Sequence, residues 1–187
     1  MEIPALNPGL RMPYLVPGLF TPVECQQLIA ASKQAPVIVD PYLAQNPDQE
    51  PGNTGERHRL TDPNVAGWVL KRLMQTAFGV NQQHFRFDIQ GMEVPHIIEY
   101  HAGQQSYWHM DIADELTTNR KLSMLVFLSD PSSYAGGNFS VYPESLQVDQ
   151  SQGNVLLFPA FLLHKVAPIQ SGLRYSLVTW GVGPPFK

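Results

Sequence analysis

Residues 155–182 read VLLFPAFLLHKVAPIQSGLRYSLVTWGV. Within them lie three short runs, Val155–Phe158, Leu163–Pro168 and Leu173–Val182. The last two are joined by Ala167-Pro168-Ile169-Gln170-Ser171-Gly172, a stretch with the proline and glycine of a chain reversal. Apolar or alternating runs of this length, bounded by turn residues, read as strands. The same texture extends back through Asn138–Tyr142, Leu122–Leu128, Met92–Tyr100 and His84–Ile89. Seven or eight strands at such close spacing predict a sandwich or barrel. Leu122–Leu128 is apolar almost throughout, as a strand covered on both faces would be.

Before residue 84 the period changes from two to 3.6. Thr21-Pro22-Val23-Glu24 combines a capping residue, a proline for the first helical position and a glutamate that completes a capping box. Cys25, Leu28, Ile29 and Ser32 then share one helical face, which makes Cys25 a small core residue. A second helix starts at Asp62-Pro63, lines up Ala66, Val69, Leu70, Leu73 and Ala77, and meets a stop at Gly79. The boundaries expected are about 22–34 and 63–78 for the helices and about 84–182 for the β core. Residues 40–59, rich in Pro, Asn, Gln and Gly, read as a long surface loop of the kind that serves as a lid or stays disordered. With no internal repeat and no dividing linker, the expectation is one domain over 1–187: two helices packed on a barrel or double-sheet jelly roll.

Composition agrees and narrows the function. The 187 residues are 43% hydrophobic and 15% charged, so the chain can bury a core. Its 17 prolines and 14 glycines, about one residue in six, form no low-complexity run and fit many short elements joined by turns. Twelve basic against 16 acidic residues give a net charge of −4, which argues against nucleic acid as a partner. One cysteine excludes an intrachain disulfide framework and a Cys-rich zinc site. The N-terminus Met1-Glu2-Ile3-Pro4 has no signal-peptide pattern, and no apolar run approaches membrane length. The chain therefore reads as soluble and cytoplasmic, with no membrane partner.

Among the six histidines, His109 and Asp111 form His-x-Asp at the end of Gln105–Asp111. Strand periodicity turns positions i and i+2 to one face, where both can reach one ion. His164, in a later strand, supplies a second imidazole. Two histidines and one carboxylate on one side of a metal make the facial triad of non-haem Fe(II) oxygenases, with positions left open for substrates. A hairpin centred near residue 169 would put Arg174 opposite His164, with Cβ atoms roughly 4.5–5.5 Å apart. A guanidinium there is a fork for a carboxylate. A ligand that chelates iron at one end and ends in a second carboxylate would span the gap, and 2-oxoglutarate has that shape.

Together these residues resemble the 2-oxoglutarate and Fe(II)-dependent dioxygenases, in the prolyl-4-hydroxylase-like branch. Tyr100-His101-Ala102-Gly103 stands before Tyr107-Trp108-His109-Met110-Asp111, as the family's Tyr-x-x-Gly does. Arg120-Lys121-Leu122 opens the next strand, Ser129-Asp130 ends it, and Gly136-Gly137 follows. Phe158-Pro159, His164-Lys165-Val166 and Gly172-Leu173-Arg174-Tyr175 through Trp180 complete the series. The resemblance runs from about Glu93 to Trp180, with a looser match from Leu15 through the first helix. It implies a double-stranded β-helix, Fe(II) held by His109, Asp111 and His164, and Arg174 on the distal carboxylate of the cosubstrate 2-oxoglutarate. It also implies Tyr100 in the cosubstrate pocket and ascorbate as a candidate reductant. The implied activity is hydroxylation of a substrate C–H bond with O2, releasing succinate and CO2. Asp111 disfavours halogenation, which in relatives goes with loss of this carboxylate.

Two departures from the family pattern stand out. Asn138 follows the Gly-Gly where many relatives are acidic. Leu122–Leu128 lacks a tyrosine that often helps hold the cosubstrate, a task open here to Ser123, Thr179 or Tyr100. The substrate is either a prolyl or other residue of a protein or peptide, or a free amino acid or small metabolite. A nucleobase is disfavoured, because Trp180 stands where demethylases of the superfamily carry a second arginine. A non-catalytic metal- or partner-binding barrel is the alternative, against which all four site residues are present. A cupin-type metalloenzyme would use His-x-His. His58, His84, His96 and His101 read as structural, with His96 sharing a strand face with Tyr100. Trp180 reads as core and Trp108 as core or pocket lining. Arg57 and Arg59 read as solvated, or as lid residues for an anionic substrate.

Overall fold

The structure, a computed structural model, describes residue 10 and residues 12–38, 52–112, 117–144 and 146–185. Along the chain come β1 (Tyr14–Val16), α1 (Pro22–Ser32), β2 (Glu56–Arg59) and α2 (Pro63–Val80), then a π-helical turn, Asn81–Phe85. The strands β3 (Gly91–Met92), β4 (His96–Tyr100), β5 (Ser106–His109) and β6 (Arg120–Phe127) follow. The last six are β7 (Tyr134–Gly136), β8 (Phe139–Val141), β9 (Val155–Pro159), β10 (His164–Val166), β11 (Ile169–Gly172) and β12 (Arg174–Val182).

Both helices begin as their sequences dictate. Thr21 and Glu24 close the capping box, each accepting from the other's backbone N–H, at 3.3 and 2.9 Å respectively. Asp62 caps α2 by accepting from the Asn64 N–H at 2.9 Å. Cys25, Leu28 and Ile29 of α1 and Val69, Leu73 and Ala77 of α2 are buried together against one face of the main sheet. Burial pushes the Cys25 thiol up to about 11, helped by the charge of Glu24, so it stays an inert thiol.

The main sheet is antiparallel in the order β1-β9-β6-β12-β4-β2, with β3 also on β12. A second sheet, β5-β10-β8, lies opposite, and β11 pairs with β7. Period-two alternation divides the main sheet's residues between two clusters. Leu122, Met124 and Val126 of β6 turn toward the helices, with Val155, Leu157 and Leu177. Leu125 and Phe127 turn the other way, with Leu156, Phe158, Ile98 and Tyr100, and meet Phe139, Val141 and Val166 of the second sheet. Leu122–Leu128 is thus buried on both faces, as its unbroken apolar run requires. Two β layers enclosing a core make the double-stranded β-helix.

Several expectations are corrected. His84–Ile89 is not a strand: the helix runs past Gly79 through the π-turn and ends at Arg86, which is left-handed with φ 60°. Asn81 fixes that exit by bonding both the N–H and the C=O of Phe87, at 2.9 and 2.8 Å. The expected loop 40–59 contains β2, which pairs with β4; its residues 40–51 lie outside the described residues. The expected hairpin between residues 164 and 174 does not form. Ile169–Gly172 pairs with β7 instead, and the chain crosses from the second sheet to the main one, leaving His164 and Arg174 on different sheets.

Candidate functional site

His109 and His164 are cross-strand partners in the second sheet, with ring centroids 4.2 Å apart. Each Nδ1 lies beside a backbone carbonyl, that of Tyr107 at 2.8 Å and that of Leu162 at 2.9 Å. A carbonyl only accepts, so each Nδ1 carries the proton and each Nε2 presents a lone pair. Both Nε2 atoms point at Asp111, His109 at 3.8 Å from Oδ1 and His164 at 3.6 Å from Oδ2. One donor atom from each of the three residues lies within 4.8 Å of the others. Metal–ligand bonds of about 2.0–2.2 Å let one divalent ion bridge donors at such separations.

Asp111 is held from three sides. Its N–H donates to the Ala160 carbonyl at 2.9 Å, and Arg120 Nη1 donates to its backbone carbonyl at 3.3 Å. The Ser123 hydroxyl donates to Oδ2, and Trp180 hydrogen-bonds the same carboxylate. Burial opposes ionisation of Asp111, but the two imidazoles and these hydrogen bonds outweigh it and keep the carboxyl below the usual range. Burial pushes the His164 imidazole down despite the pull of Asp111. A carboxylate beside a neutral imidazole is the state in which these groups bind a metal.

The three donors open into a cleft between the sheets, whose far wall includes His96, Ile98, Tyr100 and Ser176. Arg174 lies directly opposite Tyr100 in the β12–β4 pairing, its guanidinium 5.6 Å from the phenol ring centroid. It is 1% exposed. Its Nη1 makes a long, 3.4 Å bond to Ser176 Oγ, while Nε and Nη2 are buried without a hydrogen-bond partner. A buried guanidinium with one edge unsatisfied fits a carboxylate ligand. A Cβ at Gly137, whose φ is +65°, would come 2.9 Å from Arg174 Cδ and collide with Ile169, which explains the Gly-Gly motif.

Of the three residues named as helpers of Arg174, only Tyr100 stands beside it. Ser123 is committed to Asp111, and Thr179 faces away, donating to the Glu93 carbonyl at 2.7 Å. Tyr100 Oη accepts from Asn53 Nδ2 at 2.9 Å, and burial keeps the phenol protonated. Asn53 has no sequence signal; it reaches the site because Thr54 pairs with Gln105 and draws the segment onto β5. Trp180 is buried, as read, and also lines the cleft, stacked under Arg120 at 3.7 Å and bonded to Asp111. His96 lines the cleft, edge-on to Trp180 at 5.9 Å. Burial, then the charges of Arg59 and Arg57, pushes it down to about 4. Trp108 is 39% exposed and packs on Tyr142 outside the cleft. His58 is buried under Ala35, His84 packs on Tyr14 and His101 lies beside Glu99. Among the described residues, no helix is long and apolar enough to cross a membrane.

Several known proteins are similar to this chain in sequence or fold. A PKHD-type hydroxylase of Synechococcus sp. strain CC9605 is 37% identical over 82 residues, 42% of this chain and 37% of that protein. The match therefore spans little more than a third of the curated relative's length. A Pseudomonas putida prolyl-4-hydroxylase superposes with a TM-score of 0.69 over 92% of each chain at 17% identity. A Trichoplax adhaerens prolyl hydroxylase, solved with a hypoxia inducible factor peptide fragment, gives 0.73 over 92% of this chain and 84% of that one, at 16% identity. The profile of the 2OG-Fe(II) oxygenase superfamily matches residues 95–181, the span that carries His109, Asp111, His164 and Arg174. Over that span, just under half of the chain, the sequence is similar to that superfamily, and the fold is that of the prolyl hydroxylases.

Proposed function

We propose that this protein is an Fe(II)- and 2-oxoglutarate-dependent hydroxylase acting on a C–H bond of a peptidyl residue or of a free amino acid or small metabolite. His109, Asp111 and His164 would hold the iron, and Arg174, with Tyr100 beside it, the distal carboxylate of 2-oxoglutarate. Bound iron supplies the O2 chemistry that couples decarboxylation of the cosubstrate, to succinate and CO2, to oxidation of the substrate. The chain's own part is orientation. The Tyr107 and Leu162 carbonyls fix both imidazole tautomers, Ser123 and Trp180 hold the Asp111 carboxylate, and Leu125, Phe139 and Phe158 keep the cleft wall dry.

The observation that carries this reading is the pairing of a three-donor cluster with a buried guanidinium whose Nε and Nη2 find no protein acceptor. Anaerobic protein given Fe(II) and 2-oxoglutarate should develop a weak visible charge-transfer band, and Asp111→Ala and His164→Ala should each abolish it. Wild-type protein with neither the band nor slow succinate formation in air would defeat the proposal.

A further inference from the structure

Three cations among the described residues have a carboxylate partner. Arg72 pairs with Glu24, Arg120 with Glu93 and Lys165 with Glu144. Arg57 is different. It lies opposite Ile98 in the β2–β4 register and lines the same cleft as the three donors, half-buried, with no ion-pair partner among the described residues. Next to it on the wall is His96, whose Nδ1 is buried with no hydrogen-bond partner. That imidazole is neutral near pH 7, so its ring can still donate one hydrogen bond to an anion. Arg59, opposite His96 in the register, adds a second positive charge at the rim.

This cationic corner is separate from Arg174. Arg174 is level with Tyr100, and Arg57 with Ile98, two residues along β4 and on the strand beyond it. Two strand spacings, roughly 9–10 Å, and one side-chain row, roughly 7 Å, divide the two positions along the sheet. The two side chains therefore start from different rows and different strands of the sheet. With a cosubstrate anchored at Arg174, Arg57 has no anion among the described residues, in a cleft wall where an unpaired charge is costly.

We propose that Arg57, with His96, forms a second anion subsite that binds a carboxylate of the substrate undergoing hydroxylation. The inference rests on the oxygenase reading above and narrows its substrate to molecules that present an acid to the β2–β4 wall. Arg57 is then a specificity-determining residue. A free α-carboxylate or the side chain of a peptidyl Asp or Glu supplies the same chemistry, and the test separates the two.

The full chain is loaded with Zn(II) and saturated with N-oxalylglycine, a non-decarboxylating analogue of 2-oxoglutarate, and binding is followed by calorimetry. The probes are the twenty free L-amino acids against their amides, and acetylated, amidated tripeptides with Asp or Glu against those with Asn or Gln. At least one acid should bind wild type about ten-fold or more tighter than its neutral twin. Preference confined to the free amino acids assigns a small-molecule substrate, and preference confined to the tripeptides a peptidyl one. Arg57→Ala, or Arg57→Gln should the alanine variant unfold, should erase the acid preference, and Arg57→Lys should keep part of it. N-oxalylglycine affinity should stay at the wild-type value in all three. Equal binding of acids and neutral twins by wild type overturns the proposal, as does an acid preference that survives in Arg57→Ala. Weaker N-oxalylglycine binding by Arg57→Ala also overturns it, by giving Arg57 to the cosubstrate. Failure of N-oxalylglycine to bind Zn(II)-loaded wild type would instead defeat the oxygenase reading itself.

Discussion

Replacing Arg174 by methionine should stabilise the ligand-free protein while weakening its hold on 2-oxoglutarate. Arg174 is 1% exposed, with Nε and Nη2 unpaired and only a 3.4 Å bond from Nη1 to Ser176. Each unsatisfied buried donor costs about 1–3 kcal/mol, and a charged one costs more. Methionine fills a similar channel with no donors to satisfy. After the loss of the Tyr100 contact and the weak Ser176 bond, a net gain of about 1 kcal/mol remains. For a chain of this size that raises the melting temperature by about 2–4 °C. The ligand-bound state reverses the order. At a concentration of 2-oxoglutarate 100 times the dissociation constant, binding stabilises metal-loaded wild type by about 2.7 kcal/mol. Loss of a charge-assisted bidentate contact, about 1.5–3 kcal/mol, weakens affinity roughly 10- to 100-fold. At the same concentration the stabilisation then falls to about 1.4–0.4 kcal/mol. The assay is thermal unfolding of Zn(II)-loaded protein, titrated with 2-oxoglutarate. A variant less stable than wild type without ligand, yet stabilised equally by 2-oxoglutarate, would show that Arg174 is a structural cation and refute its assignment as a carboxylate receptor.

Other expectations follow from the same geometry. Ser123→Ala removes the hydroxyl that orients Asp111 and should weaken divalent-metal affinity about 10- to 100-fold, measured by competition with a chelating dye, without unfolding the protein. Gly137→Ala forces a side chain into a φ of +65° and against Arg174 Cδ; the backbone alone costs about 1–2 kcal/mol, and 2-oxoglutarate affinity should fall while metal affinity holds. Glu24 is held at about 2, chiefly by its hydrogen bond from Arg72, against an ordinary value of 4.5. A depressed carboxyl gives stability that is present above about 4.5 and is lost as the pH falls toward 2. Solvent screening limits the pair to about 1 kcal/mol. Arg72→Met should therefore lower stability at pH 7 and converge with wild type near pH 2 in urea titrations.

The parts of the molecule legible in the sequence are those whose signal is local. The Thr21–Glu24 box, the i, i+2 placement of His109 and Asp111, and the apolar run of β6 each need only a few adjacent residues to be read. What escaped reading depends on contacts between distant segments. β2, Glu-Arg-His-Arg, is an edge strand with one buried side chain, so it carries no apolar pattern and looks like loop. Nothing near Pro168 announces that Ile169–Gly172 will pair with Tyr134–Gly136 rather than fold back on His164. Ser123 and Trp180 join the Asp111 network only because β6 and β12 lie side by side in a register that pairs these two residues. The triad and the arginine could be read separately, but their true arrangement, on facing sheets, could not.

The alternation of β6 and β12 limits how this protein can change. The residues that grip the helices and those that face the reaction chamber follow one another on the same strands, Leu122 beside Ser123 and Leu177 beside Ser176. Inserting or deleting a single residue there would exchange the two sets at once, sending serines into the oily layer and leucines into the chamber. The central strands are therefore closed to gradual variation in length. New substrates have to be accommodated from the margins, on β2, on β5 and at the ends of the second sheet, where only one side of the strand is committed. Engineering of specificity would begin at those margins and leave the middle of the sheet untouched.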